Sequence, residues 1–203
     1  MRLTREESRA RTRELLLASA TQLFGREGYA ATSVERIAES AGFSKGAVYS
    51  NFESKEAIFL EVLDQQGWLG LAPLLDAIDA VADKAGVAEL LVAWADERSR
   101  SGNWSLTILE HARLAGPDAP SLARQREVLR AHWRELGERV ITRIPGLAAD
   151  PEAVGGLLHE IAYAPALTFM ERPKASDLMR LALSAWLDAP ASAGADGMVS
   201  SAA

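Results

Sequence analysis

The chain has 203 residues, 48% hydrophobic and 25% charged, with 28 acidic side chains against 22 basic ones. That balance excludes a wholly disordered polypeptide, and zero cysteines exclude disulfides and thiolate metal sites. The longest apolar runs, around 68–75 and 161–170, fall short of the roughly 20 residues that span a bilayer, so no membrane association is expected.

The N-terminus Met1-Arg2-Leu3-Thr4-Arg5 has no apolar stretch behind it and does not read as a signal peptide, so the expected location is the cytoplasm. Composition favours helix, with 37 Ala and 27 Leu against 17 Val plus Ile. In chain order, Thr4 with Glu7 has the spacing of a capping box. Leu16, Ala20, Leu23 and Phe24 then mark one face of a first helix, which Gly28 is expected to stop. A short second helix starts at the N-cap Ser33, buries Val34, Ile37, Ala38 and Ala41, and ends at Gly42. A third can start at Ser44. A fourth starts at Ser54, with Ile58, Phe59, Val62 and Leu63 on one side.

Beyond Gly70 the periodicity predicts helices near 71–84, 87–100, 103–115, 121–144, 151–171 and 175–188. Gly86, Ser101-Gly102, Gly116-Pro117, Pro145-Gly146 and Arg172-Pro173 punctuate them, and Asp150-Pro151 is a strong start signal. No stretch alternates long enough to be a strand. The expected fold is therefore all-α in two parts. A three-helix N-terminal unit over 1–53 precedes a helical bundle over 54–188, and an aperiodic Ala/Ser/Gly tail over 189–203 is expected to be disordered.

Charge divides unevenly. Residues 1–60 carry nine Lys/Arg against eight Asp/Glu, and residues 61–203 carry thirteen against twenty. Arg2, Arg5, Arg9, Arg11 and Arg13 crowd the first helix, so any polyanion would bind at that end. The stretch Ala38–Val48 has the spacing of a helix-turn-helix: small Ala38 where two helices approach, Gly42 for the turn, and Val48 beneath the second helix. The remaining face of that helix is short and uncluttered, as entry into a major groove requires. A helical corner that binds nothing has the same spacing.

The residues Gly28-Tyr29, Thr32-Ser33-Val34, Ile37-Ala38, Ala41 to Tyr49, Asn51-Phe52 and Ser54-Lys55-Glu56 together resemble the DNA-binding domain of TetR-family transcriptional regulators. The likeness runs from about Arg9 to Leu63. It implies a homodimer on a palindromic double-stranded operator, a ligand-binding C-terminal bundle, and repression relieved by a small molecule. It also implies residue roles. Lys45 and Gly46 are expected at base edges and Ala47 against a thymine methyl. Tyr49, Asn51 and Lys55 are expected at phosphates, with Ser33 and Ser44 adding contacts. Ser50 and Asn51 stand where relatives often carry larger side chains, so contacts there are expected to be fewer or water-mediated. Phe43, Phe52 and Phe59 are assigned to the core.

In the bundle, Trp68, Trp94, Trp104, Trp133, His111, His132, His159, Tyr163, Phe169 and Met170 are candidates to line an effector cavity. Trp104, His111, Trp133 and Tyr163 lead them, and the expected ligand is hydrophobic rather than strongly anionic, because the bundle is acidic and its arginines mostly read as solvent-facing. Gly155-Gly156 suits close approach at a dimer face formed with Leu157, Leu158, Ile161, Leu181 and Trp186, although a kink is nearly as good an account. Glu110-His111 and His159-Glu160 lack the spacing of a helical zinc site. There is no Gly-rich phosphate loop and no nucleophile elbow. No enzyme activity, cofactor or metal is therefore expected. The rival reading is a helical small-molecule-binding or scaffold protein that has lost DNA binding.

Overall fold

In a computed structural model, which describes residues 4–100, 103–144, 147, 149–168 and 171–187, Thr4 opens the first helix. Its hydroxyl accepts from Glu7 N at 3.2 Å while the Glu7 carboxylate accepts from Thr4 N at 2.7 Å, closing the expected capping box. Helix α1 (Arg5–Ala31) buries Leu16, Ala20, Leu23 and Phe24. Gly28, at φ +83° and ψ 175°, leaves the helical conformation and so interrupts the helix as expected, with a short helical stretch following it to Ala31.

Helices α2 (Val34–Ala41) and α3 (Lys45–Tyr49) start at Ser33 and Ser44, each hydroxyl accepting a backbone N–H three residues on at 3.2 Å. Gly42 turns the chain between them at φ +75°. Ile37 and Val48 are fully buried beneath this corner, and Phe24, Tyr29 and Phe59 pack ring to ring at 5.0 to 5.9 Å. Phe52 joins this core and Phe43 packs half-buried against it.

Helix α4 (Lys55–Ala80), capped by Ser54, runs on from this unit without interruption. The break expected at Gly70, with a new helix over 71–84, is absent. Gly67 and Gly70 are not stops; each makes room for a side chain from another helix, His132 at Gly67 and Arg98 at Gly70. Helix α5 (Lys84–Ser99) starts three residues before the prediction because Asp83 caps it through Gly86 N at 2.7 Å. Then follow α6 (Asn103–Ala115), α7 (Pro120–Arg143), α8 (Pro151–Thr168) and α9 (Ala175–Leu187), with Asp150 accepting from Ala153 N at 2.8 Å as the cap of α8. Nine helices and no strand make up the described residues, and none of those helices is long and apolar enough to cross a membrane.

Two buried clusters result. One joins the N-terminal unit to the first turns of α4; the other joins α4, α5, α7, α8 and α9. The tightest packing is α7 on α8. A Cβ on Gly137 would run into the Pro151 carbonyl, and one on Gly155 into the Trp133 carbonyl. Gly155-Gly156 therefore serves packing within the chain, which corrects its assignment to a dimer face. Leu158 is corrected likewise, being fully buried in its own bundle. Ile161 and Trp186 are half-buried, whereas Leu157 and Leu181 are 45% and 71% exposed. Ser101-Gly102, Pro145-Gly146, Phe169, Met170 and the 189–203 tail lie outside the described residues.

Candidate nucleic-acid interface and bundle cavity

Val48 anchors α3 to the core, and that anchoring decides which residues face outward. Ser44, Lys45, Gly46, Tyr49 and Ser50 are exposed, while Ala47 and Asn51 are half-buried. The Lys45 ammonium lies 2.5 Å from the Glu35 carboxylate of α2 and 5.8 Å above the Tyr49 ring. This pairing holds the Glu35 pKa below, and the Lys45 pKa above, their ordinary values. Ser33 spends its hydroxyl on the cap of α2. Asn51 donates its amide to the Ala47 carbonyl at 2.8 Å, so its side chain finishes α3.

Two residues without an assigned role act here. Arg9 and Arg13 of α1 donate to the Ser50 and Asn51 carbonyls at 3.1 and 2.5 Å, holding the C-terminal end of α3. Arg13 also pairs with Glu61 and stacks on the Phe52 ring at 4.1 Å. Their crowding with other arginines was visible in the sequence, but nothing distinguished these two. The Lys55 ammonium sits 4.0 Å above the Tyr29 ring, where burial lowers its pKa.

Helix α6 joins the N-terminal unit to the bundle. Thr107 donates to the Phe24 carbonyl at 3.1 Å, and Glu110 accepts from Ala30 N at 3.0 Å, filling the space that a side chain on Gly28 would occupy. The Trp104 indole lies over Gly25. His111 is fully buried, its ring 4.9 Å from Tyr29 and 4.7 Å from Phe59, with Nδ1 2.5 Å from Gln125 Oε1. Burial pushes its pKa down. His111 is thus a junction residue and does not line the cavity expected for it.

That cavity exists between α4, α5, α6, α7 and α8, with a volume of about 470 Å³. Trp104, Trp133 and Tyr163 line it as expected. So do His132 and His159 of the wider candidate set, and so do Gln125 and Arg98, which carried no sequence signal. Trp68 instead packs edge-on against His132 at 4.7 Å, and Trp94 is buried in the bundle core. The His159 ring stacks at 4.5 Å from Tyr163, and burial drives its pKa down to about 4. His132 Nε2 lies 3.3 Å from Asp64, yet burial prevails and its pKa is lowered too. Burial raises the Tyr163 pKa despite the Arg98 guanidinium beside the phenol. His159 Nδ1, Trp133 Nε1 and Arg98 Nε are buried without a hydrogen-bond partner. Among the described residues no cluster of three or more His, Asp or Glu could hold a metal ion.

Residues 16–62 match the family described as bacterial regulatory proteins, tetR family. The chain is 38% identical over 61 residues to the HTH-type transcriptional regulator AcrR of Shigella flexneri, covering 30% of this chain and 28% of that one. It is 35% identical over 79 residues to RutR of Escherichia coli, covering 39% and 37%. A match to the uncharacterized regulator YerO of Bacillus subtilis is 40% identical over 52 residues, covering 26% and 18%. The chain therefore spans less than half the length of these curated relatives. Whole-chain likeness is one of fold. The FadR structure from Bacillus subtilis, in complex with stearoyl-CoA, superposes with a TM-score of 0.63 at 16% identity, over 86% of this chain and 97% of that one. GusR of Salmonella enterica gives 0.64 at 19% identity, over 92% and 99%.

Proposed function

We propose that this chain, whose N-terminal domain belongs to the TetR family of bacterial regulatory proteins, is a repressor that a small hydrophobic ligand releases from a palindromic operator. The observation that carries this reading is the continuity of α4. It begins at Lys55, close to the reading helix, and contributes Leu63, Gln66 and Gly67 to the cavity wall. A ligand that moves α4 moves the reading unit with it. Helix α6 offers a second link, with Trp104 on the cavity and Thr107 and Glu110 on α1.

Base contacts fall to Lys45, Gly46 and Ala47 in this reading. Tyr49, Ser44 and Ser33 supply phosphate contacts, and Lys55 does so once its ammonium leaves Tyr29. Ser50 and Asn51 stay close to the backbone of α3 and contribute least. The exposed Leu157 and Leu181 of α8 and α9 support pairing of those helices with a second copy. Trp104, Trp133 and Tyr163 supply the aromatic walls of the effector site. The stearoyl-CoA complex of FadR shows that a related fold accommodates a ligand with an apolar body.

The test is a mobility-shift titration at physiological salt, with inverted-repeat duplexes drawn from the adjacent intergenic DNA and a scrambled control. Preference for an inverted repeat with half-sites about 34 Å apart, or a multiple of that, supports the reading. Equal affinity for the repeat and the scrambled duplex overturns it, in favour of a helical binding protein without operator specificity.

A further inference from the structure

The polar groups around the cavity are unequal in kind. Trp133 Nε1 and Arg98 Nε are donors only, and both are buried without an acceptor. Gln125 commits its Oε1 to His111 at 2.5 Å, which leaves its NH2, a third donor group, for other partners. The imidazoles of His132 and His159 are neutral and each offers one donor and one acceptor, so they do not tip the balance. Ser105 offers both roles as well. Glu160 lies on the wall but is exposed, where water screens its charge. Arg98 is the cation of the wall, with a side chain only 21% exposed. Its guanidinium already meets the Tyr163 phenol and, at 2.7 Å, Glu97, but that carboxylate is 65% exposed. Buried donors without acceptors are costly to leave unmade, and although neither atom is open to the cavity as it stands, a turn of its side chain toward a ligand oxygen would relieve it.

We infer that the cavity takes an apolar carboxylic acid of about two rings, its body against Trp104, Trp133 and Tyr163 and its carboxylate met by Arg98 and the unpartnered N–H groups of the wall. This rests on the proposed effector role of the bundle. Most of the bundle's arginines do face solvent, as expected, and Arg98 is an exception that bears on the expectation of a ligand without strong negative charge. A guanidinium and planar donors match a carboxylate, whereas a cationic ligand would meet Arg98 with like charge. The volume of about 470 Å³ is that of a small-molecule site and holds such a body.

The experiment is calorimetric titration of the full chain with four probes sharing a biphenyl body: para-phenylbenzoic acid, para-phenylacetophenone, para-methylbiphenyl and para-phenyl-N,N,N-trimethylanilinium. The acid is expected to bind most tightly, about tenfold or more above the hydrocarbon, as charge-assisted bonds are among the stronger ones. The ketone should fall between them and the cation last. Arg98→Gln should weaken the acid about tenfold and leave the hydrocarbon unchanged. Trp133→Phe, which keeps a ring but removes the N–H, should weaken acid and ketone together. Hydrocarbon or cation binding as tightly as the acid overturns the inference, as does failure of all four to bind. An acid affinity indifferent to Arg98→Gln, in a variant with unchanged melting temperature, also overturns it. If that variant fails to fold, the ratio of acid to hydrocarbon on the unaltered protein still decides. The mobility shift separates this inference from the functional proposal. Tight acid binding without operator release defeats the effector role alone, while release by hydrocarbon and acid alike defeats the ligand class alone.

Discussion

At the scale of the residue, Lys45 shows how a side chain is held until a partner arrives. Its pair with Glu35 is exposed on both sides, where solvent screens it and it contributes little. A guanine edge or phosphate can therefore displace Glu35 at little cost. Lys45→Ala is expected to cost roughly 1–3 kcal/mol of specific binding and to relax preference at one base pair in each half-site. Glu35→Gln should tighten binding to every duplex, because it removes a competitor for the same ammonium. Mobility shifts on single-base operator variants check both. The buried histidines set a second expectation. His111, His132 and His159 all have pKa values lowered from 6.5, His159 to about 4. The unfolded chain then binds more protons than the folded one between these values, so stability is full above about pH 6.5 and declines as pH falls toward 4. Thermal melts at decreasing pH should show that decline, and His159→Gln should flatten it; an unchanged slope would remove His159 as its source. The caps Ser33, Ser44 and Ser54 and the turn at Gly42 were legible because each acts within three or four residues. Arg13 and Thr107 were not, since their acceptors lie 38 and 83 positions away.

At the scale of the element, glycine misleads a reading confined to one helix. Within such a reading a helical glycine is a weakness or a stop, and a separate helix was expected near 71–84 where α4 in fact continues to Ala80. The information missing was the neighbour. Gly67, Gly70, Gly137 and Gly155 each lie where another helix or its side chain already fills the place of a Cβ. The cavity was half legible for the same reason. Aromatic residues on α6, α7 and α8 announced an apolar pocket, but which polar groups turn into it depends on how five helices pack. Arg98 looks like a surface arginine near the end of α5 until Gly70 gives it room. A test of the packing account follows from the sign of one substitution. In an exposed helix interior Gly→Ala stabilises by about 1 kcal/mol. At Gly155 the new methyl would meet the Trp133 carbonyl, which is backbone and cannot rotate away. Gly155→Ala should therefore destabilise the protein, by roughly 1–3 kcal/mol as overpacking does. A urea midpoint that rises instead would show that α7 and α8 are further apart.

At the scale of the whole molecule, three proposals have to be mutually consistent: a dimer, a cavity and a reading head. Operator recognition by a two-fold operator requires a two-fold protein, and a stable interface of the obligate kind buries more than about 2,000 Å² in total. Leu157 and Leu181 are apolar, exposed and on the last two helices, so Leu157→Glu combined with Leu181→Glu should yield a folded monomer in sedimentation. That monomer should lose most operator affinity while each half-site contact remains chemically intact. Within the dimer, a ligand acts only through a difference in affinity between two conformations. Helix α4 supplies the mechanical route, because the cavity wall at Leu63–Gly67 and the start of the helix at Lys55 are parts of one rigid element. In the proposed mechanism a displacement at the wall changes the separation of the two reading helices, and the operator tolerates only separations near one helical turn or a multiple of it. Thermodynamic linkage then fixes a relation that requires no knowledge of the motion. If a bound acid weakens operator affinity by some factor, operator must weaken acid affinity by the same factor. Trp104 and Trp133, both on the cavity wall, report ligand by fluorescence, so the acid can be titrated with and without operator duplex while the operator is titrated with and without acid. Equal factors from the two titrations are expected. A ligand that quenches the tryptophans but leaves operator affinity untouched binds both conformations equally, and the cavity would then not control the reading head.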